Sequence, residues 1–249
     1  MTSEQSIVSE GRRLVDEAAT REIVVRLVGG AAVWIRASEH ARDLLGRTYP
    51  DLDLVAHRKQ SRPLRDLLEE LEYEPERTFN ATHGARRLLY HARDRSFHLD
   101  VFLDEFVMSH TLDLGARLEM ESPTLPAAEL LLTKLQVAEV NVKDLNDATM
   151  LLLDHEVVED DGALRLNAAY VAAELAADWG LYTTVSDNID KLCARAPELL
   201  EEEDAALVLA RANDVRRRID AAPKSRSWKL RAKIGRRVRW YELPEEVTR

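Results

Sequence analysis

Three acidic residues in two short apolar runs are the positions best suited to chemistry. Asp51 and Asp53 alternate with Leu52 and Leu54 in Tyr49-Pro-Asp-Leu-Asp-Leu-Val55, and Asp100 stands between Leu99 and Val101 in His98-Leu-Asp-Val-Phe102. Residues two apart on a strand share a face, so Asp51 and Asp53 project together. Carboxylates among apolar neighbours are costly unless something positive sits between them. Three carboxylates on neighbouring strands make a site for Mg²⁺, a hard cation that takes oxygen ligands and keeps positions open for phosphates. Upstream, Gly29-Gly30 ends the apolar run Ile23-Val-Val-Arg-Leu-Val28. Glycines there leave backbone N–H groups uncovered at a helix N-terminus, a setting that suits a triphosphate. Taken alone, Asp51 and Asp53 also read as a solvated turn after Pro50, and Asp100 as an edge-strand carboxylate facing water.

The elements that must position these residues follow from apolar periodicity. An amphipathic helix is expected over 6–21, then a strand over 23–28, a helix over 30–45, a strand over 51–56 and a helix over 63–71. Candidate strands follow at 73–79, 86–91 and 97–103, with Arg93-Asp-Arg-Ser96 as the hairpin turn between the last two. Residues 112–120 read as a further strand or loop. From Pro126 the pattern turns helical, over 126–137, 142–153, 167–179, 185–194 and 197–219. Strands mixed with helices, then helices alone, predict an α+β fold: a mixed sheet with flanking helices followed by a helical C-terminal half. The expected division is a catalytic domain over 1–122, a helical domain over 123–222 that completes a cleft, and a basic tail over 223–249.

In this order the parts Leu27-Val-Gly-Gly-Ala-Ala-Val33, Asp51-Leu-Asp-Leu54 and Leu99-Asp-Val-Phe102 resemble the nucleotidyltransferase superfamily, the polymerase-beta-like fold. The resemblance implies a transferase that moves an NMP unit from an NTP such as ATP to a hydroxyl acceptor and releases pyrophosphate. It implies two Mg²⁺ ions, which in such sites sit about 3.5–4 Å apart and clamp the attacking and leaving oxygens. Asp51 and Asp53 would bridge them, and Asp100 would complete the ion that activates the acceptor. The work asked of the protein is positioning and charge neutralisation. Arg47-Thr48 matches the basic-plus-hydroxyl pair that precedes the family's Asp-x-Asp. The serine often found after the first glycine is Gly30 here, so its side-chain contact to phosphate is missing.

A second stretch, Leu125-Pro-Ala-Ala-Glu-Leu-Leu-Leu-Thr-Lys134 with Asn141-Val-Lys143-Asp144-Leu-Asn-Asp147, resembles the helical part of the abortive-infection type nucleotidyltransferases. That group includes toxins of toxin–antitoxin systems and is related to aminoglycoside nucleotidyltransferases. By this resemblance Lys134 reaches the triphosphate and acts in catalysis, Lys143-Asp144 lie at the rim of the site, and an antitoxin is a partner. The acceptor is an RNA such as tRNA, a protein hydroxyl or a small molecule. Read from the residues alone, Lys134 is equally a snorkelling lysine on an amphipathic helix. Asp144 and Asp147 equally fit a capped, solvated first turn after Asn141. A catalytically silent nucleotide-binding or interaction module on the same fold is the alternative function.

Composition bounds the class. A chain of 249 residues has room for one large or two small domains. A single cysteine, Cys193, excludes a disulfide framework and a cysteine metal site. No apolar run is long enough for a bilayer and no signal pattern opens the chain, so a cytoplasmic location is expected. The net charge of −10 hides an asymmetry: residues 211–239 carry twelve Lys and Arg against Asp214 and Asp220, bordered or interleaved by Trp228, Trp240 and Tyr241. Such a segment suits a nucleic-acid contact, a membrane surface, a protein partner, or a shell over the acidic remainder of the chain. Among His57, His83, His91 and His98, the last stands two residues from Asp100 and can share its face; the spacing of the others matches no zinc set.

Overall fold

The computed structural model describes residues 3–243, with side chains from residue 7 onward. Of the tail expected over 223–249, residues 244–249 therefore lie outside the described part. In chain order the elements are α1 (Ser3–Ala19), β1 (Val25–Val28), α2 (Gly29–Arg36), α3 (Glu39–Leu45), β2 (Asp51–Ala56), α4 (Ser61–Glu70), β3 (Glu74–Pro75), α5 (Arg77–His83), β4 (Arg87–His91), β5 (His98–Leu103), β6 (Glu105–Val107) and β7 (Thr111–Asp113). They continue as α6 (Ala127–Leu135), α7 (Val142–Asp154), β8 (Glu156–Val158), β9 (Arg165–Asn167), α8 (Ala168–Ala177), α9 (Trp179–Leu199), α10 (Glu202–Ala221) and α11 (Arg226–Ile234). The fold is α+β, a mixed sheet followed by helices. Among the described residues no helix is long and apolar enough to cross a membrane.

Two compact units emerge. The first holds the chain up to Ile35, Arg47–Val107 and Thr111–Leu125. Its sheet has the order β1-β2-β5-β4-β3, with β2 and β5 parallel and the other neighbours antiparallel. Alternation along β2 sends Leu52 and Leu54 to a buried face and Asp51 and Asp53 to a half-buried one. Helix α1 covers the apolar face with Ile7, Val8, Leu14, Val15 and Ala18. Its Gly11 lies so close that a Cβ would stand 2.8 Å from Leu27 and 2.9 Å from Leu52. The outer edge of β1 is occupied too: Leu27 N–H donates to the Pro123 carbonyl and Leu125 N–H donates to the Leu27 carbonyl.

Helix α6 anchors the second unit, which contains Arg36–Gly46, Met108–His110 and the described residues from Pro126 on. Every residue of α6 is buried, Glu129, Thr133 and Lys134 included, and α7, α8 and α9 pack around it. A helix apolar on most sides belongs at the centre of a bundle. His155, fully buried at the end of α7, donates from Nδ1 to the Leu151 carbonyl at 3.0 Å. Burial, with the Arg36 cation nearby, pushes its pKa down to about 4. The imidazole is thus neutral in the folded unit, whereas the unfolded chain takes up its proton at about 6.5. Stability from His155 is complete above that value and falls as pH drops toward 4, by about 3 kcal/mol in all. Urea melts of wild type and His155→Leu between neutral pH and pH 4 are expected to converge toward acid; parallel curves would contradict this.

Three expected elements are corrected. The helix expected over 30–45 is two helices, because Ser38 leaves helical geometry to cap α3, its Oγ accepting from Ala41 N–H. Asp154 holds the break by accepting from Ser38 N–H at 2.6 Å and from its hydroxyl at 2.8 Å. The strand expected over 73–79 shrinks to Glu74–Pro75 and gives way to α5, whose Asn80 side chain bonds both Leu89 N–H and its carbonyl. Pro197, expected to open a helix, instead sits in the last turn of α9. The chain turns at Leu200-Glu201, and the acids Glu202, Glu203 and Asp204 fill the first turn of α10.

Candidate functional site

In the first unit, strand register gathers the predicted carboxylates. The parallel β2–β5 pairing sets Asp51 opposite His98 and Asp53 opposite Asp100. Side chains paired across neighbouring strands share a face, so Asp51, Asp53, His98 and Asp100 form one polar patch on a sheet whose other face is apolar. The antiparallel β1–β2 pairing places Val28 beside Asp53, and the chain turns there into α2. Gly29 makes the turn with φ of +71°, in the left-handed region that disfavours side chains, and a Cβ on it would collide with Asp53 Oδ2. A carboxylate is thereby set against the N-terminal turn of a helix, where the backbone dipole favours negative charge.

Gly30 is needed for a different contact. A Cβ there would stand 2.5 Å from the Tyr49 ring and 2.7 Å from an Arg47 guanidinium nitrogen. The guanidinium stacks on Tyr49 at 4.5 Å from the ring centroid and donates to the Thr48 carbonyl. The glycine pair therefore joins a helix N-terminus to an arginine, the two features that attract an anion. Thr48 is exposed beside them.

The patch also holds Arg87, which the sequence did not single out, and His98, expected on the face of Asp100. Arg87 on β4 meets Asp100 with two donors, Nε to Oδ1 at 2.7 Å and an Nη to Oδ2. Both side chains are largely buried, and the guanidinium lies over the Phe102 and Phe79 rings. Arg87 shares a face with Leu89, the residue paired with Asp100, and this register puts it on the polar patch. His98 Nε2 lies 2.8 Å from Asp51 Oδ1, with the His91 ring edge-on to it. For Mg²⁺ the donor set is chemically suited at Asp51 and Asp53, while both oxygens of Asp100 are engaged by Arg87. Among the described residues no group of three or more His, Cys, Asp or Glu is gathered as a metal site.

No protein-family model matches the chain, and no curated protein matches it in sequence. Among solved structures it is similar to the antibiotic-resistance factor ANT(2'')-Ia, with 11% identity, a TM-score of 0.42, and 78% of this chain and 96% of that one covered. A likeness this distant assigns no chemistry.

The remaining predicted residues lie in the second unit. Lys134 on α6 reaches Asp144 at 3.0 Å and Asp147 at 2.8 Å, both on α7. Lys134 is buried and Asp147 fully so, which removes both the snorkelling lysine and, for Asp147, the solvated first turn. Burial by itself would lower the pKa of the ammonium; Asp147 and then Asp144 outweigh it and hold the pKa above the ordinary lysine value. Asn141 caps α7 by accepting from Asp144 N–H, and its amide donates to the Asp144 carboxylate. Lys143 is exposed and stands outside this triad. The structure thus gathers Gly29, Gly30, Arg47, Asp51, Asp53 and Asp100 in one unit, and Lys134 with Asp144 in the other.

The basic segment divides as well. Arg211 donates to the Leu152 and Leu153 carbonyls, Arg216 pairs with Asp190, and Arg218 pairs with Asp214 and Glu159. For Arg216 and Arg218 the reading as a shell over the chain's own acids is the observed one.

Proposed function

We propose that the chain is a nucleotidyltransferase that moves an NMP unit from an NTP to a hydroxyl acceptor. The observation that carries this reading is the register of Asp53 with Asp100, two residues beyond Asp51, directly against the Gly29-Gly30 helix N-terminus. The helix N–H groups and the Arg47 guanidinium would receive the triphosphate, whose negative charge is their complement. Asp51 and Asp53 are the residues that would hold Mg²⁺. When bound, the ion supplies charge neutralisation at the phosphates. His98, 2.8 Å from Asp51, orients that carboxylate. An acceptor hydroxyl on RNA, protein or a small molecule fits this chemistry equally.

The test is transfer of label from α-labelled NTPs with Mg²⁺ to tRNA, to lysate protein and to aminoglycosides, with Asp51→Asn/Asp53→Asn in parallel. Label is expected on one acceptor class and to fall by on the order of 10³-fold or more in the variant, the scale of losing a preorganised electrostatic partner. Equal labelling by both proteins would sink the proposal. Growth arrest on expression, relieved by the same variant, would mark a toxin-like role. A second reading is favoured by one observation, the two-point hold of Arg87 on Asp100: a nucleotide-binding module without transfer. It predicts NTP binding by calorimetry with no label moved.

A further inference from the structure

The aromatic residues of the C-terminal segment are turned inward. Trp228 packs edge-on against Tyr182 at 5.2 Å, and Trp240 against Trp179 at 6.1 Å while its Nε1 donates to Thr184 Oγ1. Arg231 lies over Trp179 and donates to the Gly235 and Val238 carbonyls; Arg236 pairs with Asp187. These contacts fasten α11 to α8 and α9, and Ser225 caps it by accepting from Trp228 N–H. The rings are therefore committed to packing rather than offered for base stacking.

What α11 leaves to solvent is a different mixture. Arg226, Lys229, Leu230, Lys233 and Ile234 recur at spacings of three and four, so they share one face of the helix. All are exposed, Leu230 at 64% and Ile234 at 47%, and the following Arg237 and Val238 (58%) extend the strip. Residues 221–241 contain eight Lys and Arg and no acid, in a chain whose overall charge is −10. A strongly acidic molecule thus presents a basic face along α11, and that face also carries aliphatic side chains between its cations.

We propose that this α11 face docks on an anionic phospholipid bilayer. A nucleic-acid backbone rewards only the cations, and with the tryptophans packed inward nothing on the face stacks on bases. Lipid headgroups neutralise Arg226, Lys229, Lys233 and Arg237, while the boundary with the acyl chains takes Leu230, Ile234 and Val238. The apolar area is small, so attachment is reversible and weakens with salt. The rest of the chain is net acidic, which favours approach through α11. Docking through this face needs no nucleotide chemistry.

The experiment is co-sedimentation of the full chain with phosphatidylcholine vesicles, with and without phosphatidylglycerol, at low and high salt, with single- and double-stranded RNA as competitors. Binding is expected only to the vesicles containing phosphatidylglycerol and is expected to be lost at high salt. Lys229→Ser/Lys233→Ser is expected to weaken it roughly 30-fold, at the usual gain per basic residue near an anionic surface. Leu230→Ser/Ile234→Ser, which keeps every charge, is expected to weaken it about tenfold through lost apolar burial. All four positions are exposed, and unchanged thermal melts establish that the variants are folded. Binding indifferent to phosphatidylglycerol, vesicle binding untouched by Leu230→Ser/Ile234→Ser, or a preference for RNA that only the lysine variant weakens would each overturn the proposal. The last outcome would make the face a nucleic-acid surface.

Discussion

Replacing Lys134 by methionine is expected to destabilise the second unit by about 3–5 kcal/mol, the cost of leaving a buried carboxylate without its partner. Asp147 is fully buried 2.8 Å from the ammonium, and no solvent replaces the lost charge. Asp144, partly exposed and also bonded by Asn141, suffers less. Thermal unfolding is expected to fall by roughly 10 °C for a chain of this size. The double variant Lys134→Met/Asp147→Leu is expected to recover at least half of the loss, because an apolar pair of similar volume replaces a buried ion pair at little net cost. A double variant as unstable as the single one would show that the ammonium acts through other partners. Since the pKa of Lys134 is raised, its contribution is fully present below about pH 10 and is lost only as pH rises through the folded value.

Arg87→Met tests the other buried pair and, with it, the chemistry proposed for the carboxylate patch. Arg87 and Asp100 expose only 14% and 12% of their side chains, so removing the guanidinium leaves a carboxylate poorly hydrated. The expected cost without divalent cation is about 3 kcal/mol, at the low end for buried pairs because some solvent reaches both groups. The patch also contains Asp51 and Asp53, oxygen donors suited to Mg²⁺. Adding Mg²⁺ is therefore expected to stabilise Arg87→Met more than wild type in denaturant melts, through preferential binding to the folded state. Equal responses to Mg²⁺ would assign Asp100 to a structural ion pair alone and strengthen the reading as a silent nucleotide-binding module. This readout needs no acceptor, so it separates metal binding from transfer.

Much of the patch was legible in sequence because its causes are local. Strand alternation puts Asp51 and Asp53 on one face whatever else the strand meets. Gly29 is demanded by a single φ angle and one contact, and a glycine pair after an apolar run announces such a turn. The helices from Pro126 onward follow from a 3.6-residue apolar period, and the strands at 51–56, 86–91 and 97–103 from runs bounded by turn residues. Fold class came from the order of these elements.

Pairing between segments was another matter. Arg86 and Arg87 are adjacent and chemically identical, yet Arg86 is mostly exposed while Arg87 holds Asp100. Only the β4–β5 register, which sets Leu89 opposite Asp100, chooses between them. The helix expected over 30–45 was broken by a carboxylate more than a hundred residues away, Asp154. In the same way, Lys134 reads as an ordinary amphipathic lysine until α7 brings Asp147 beneath it, and Trp228 and Trp240 read as stacking platforms until α9 claims them. Sequence determined which residues can share a face, because backbone geometry acts over a few positions. Tertiary structure decided which charges meet and which rings are packed, because those free energies depend on a partner, its register and the exclusion of water.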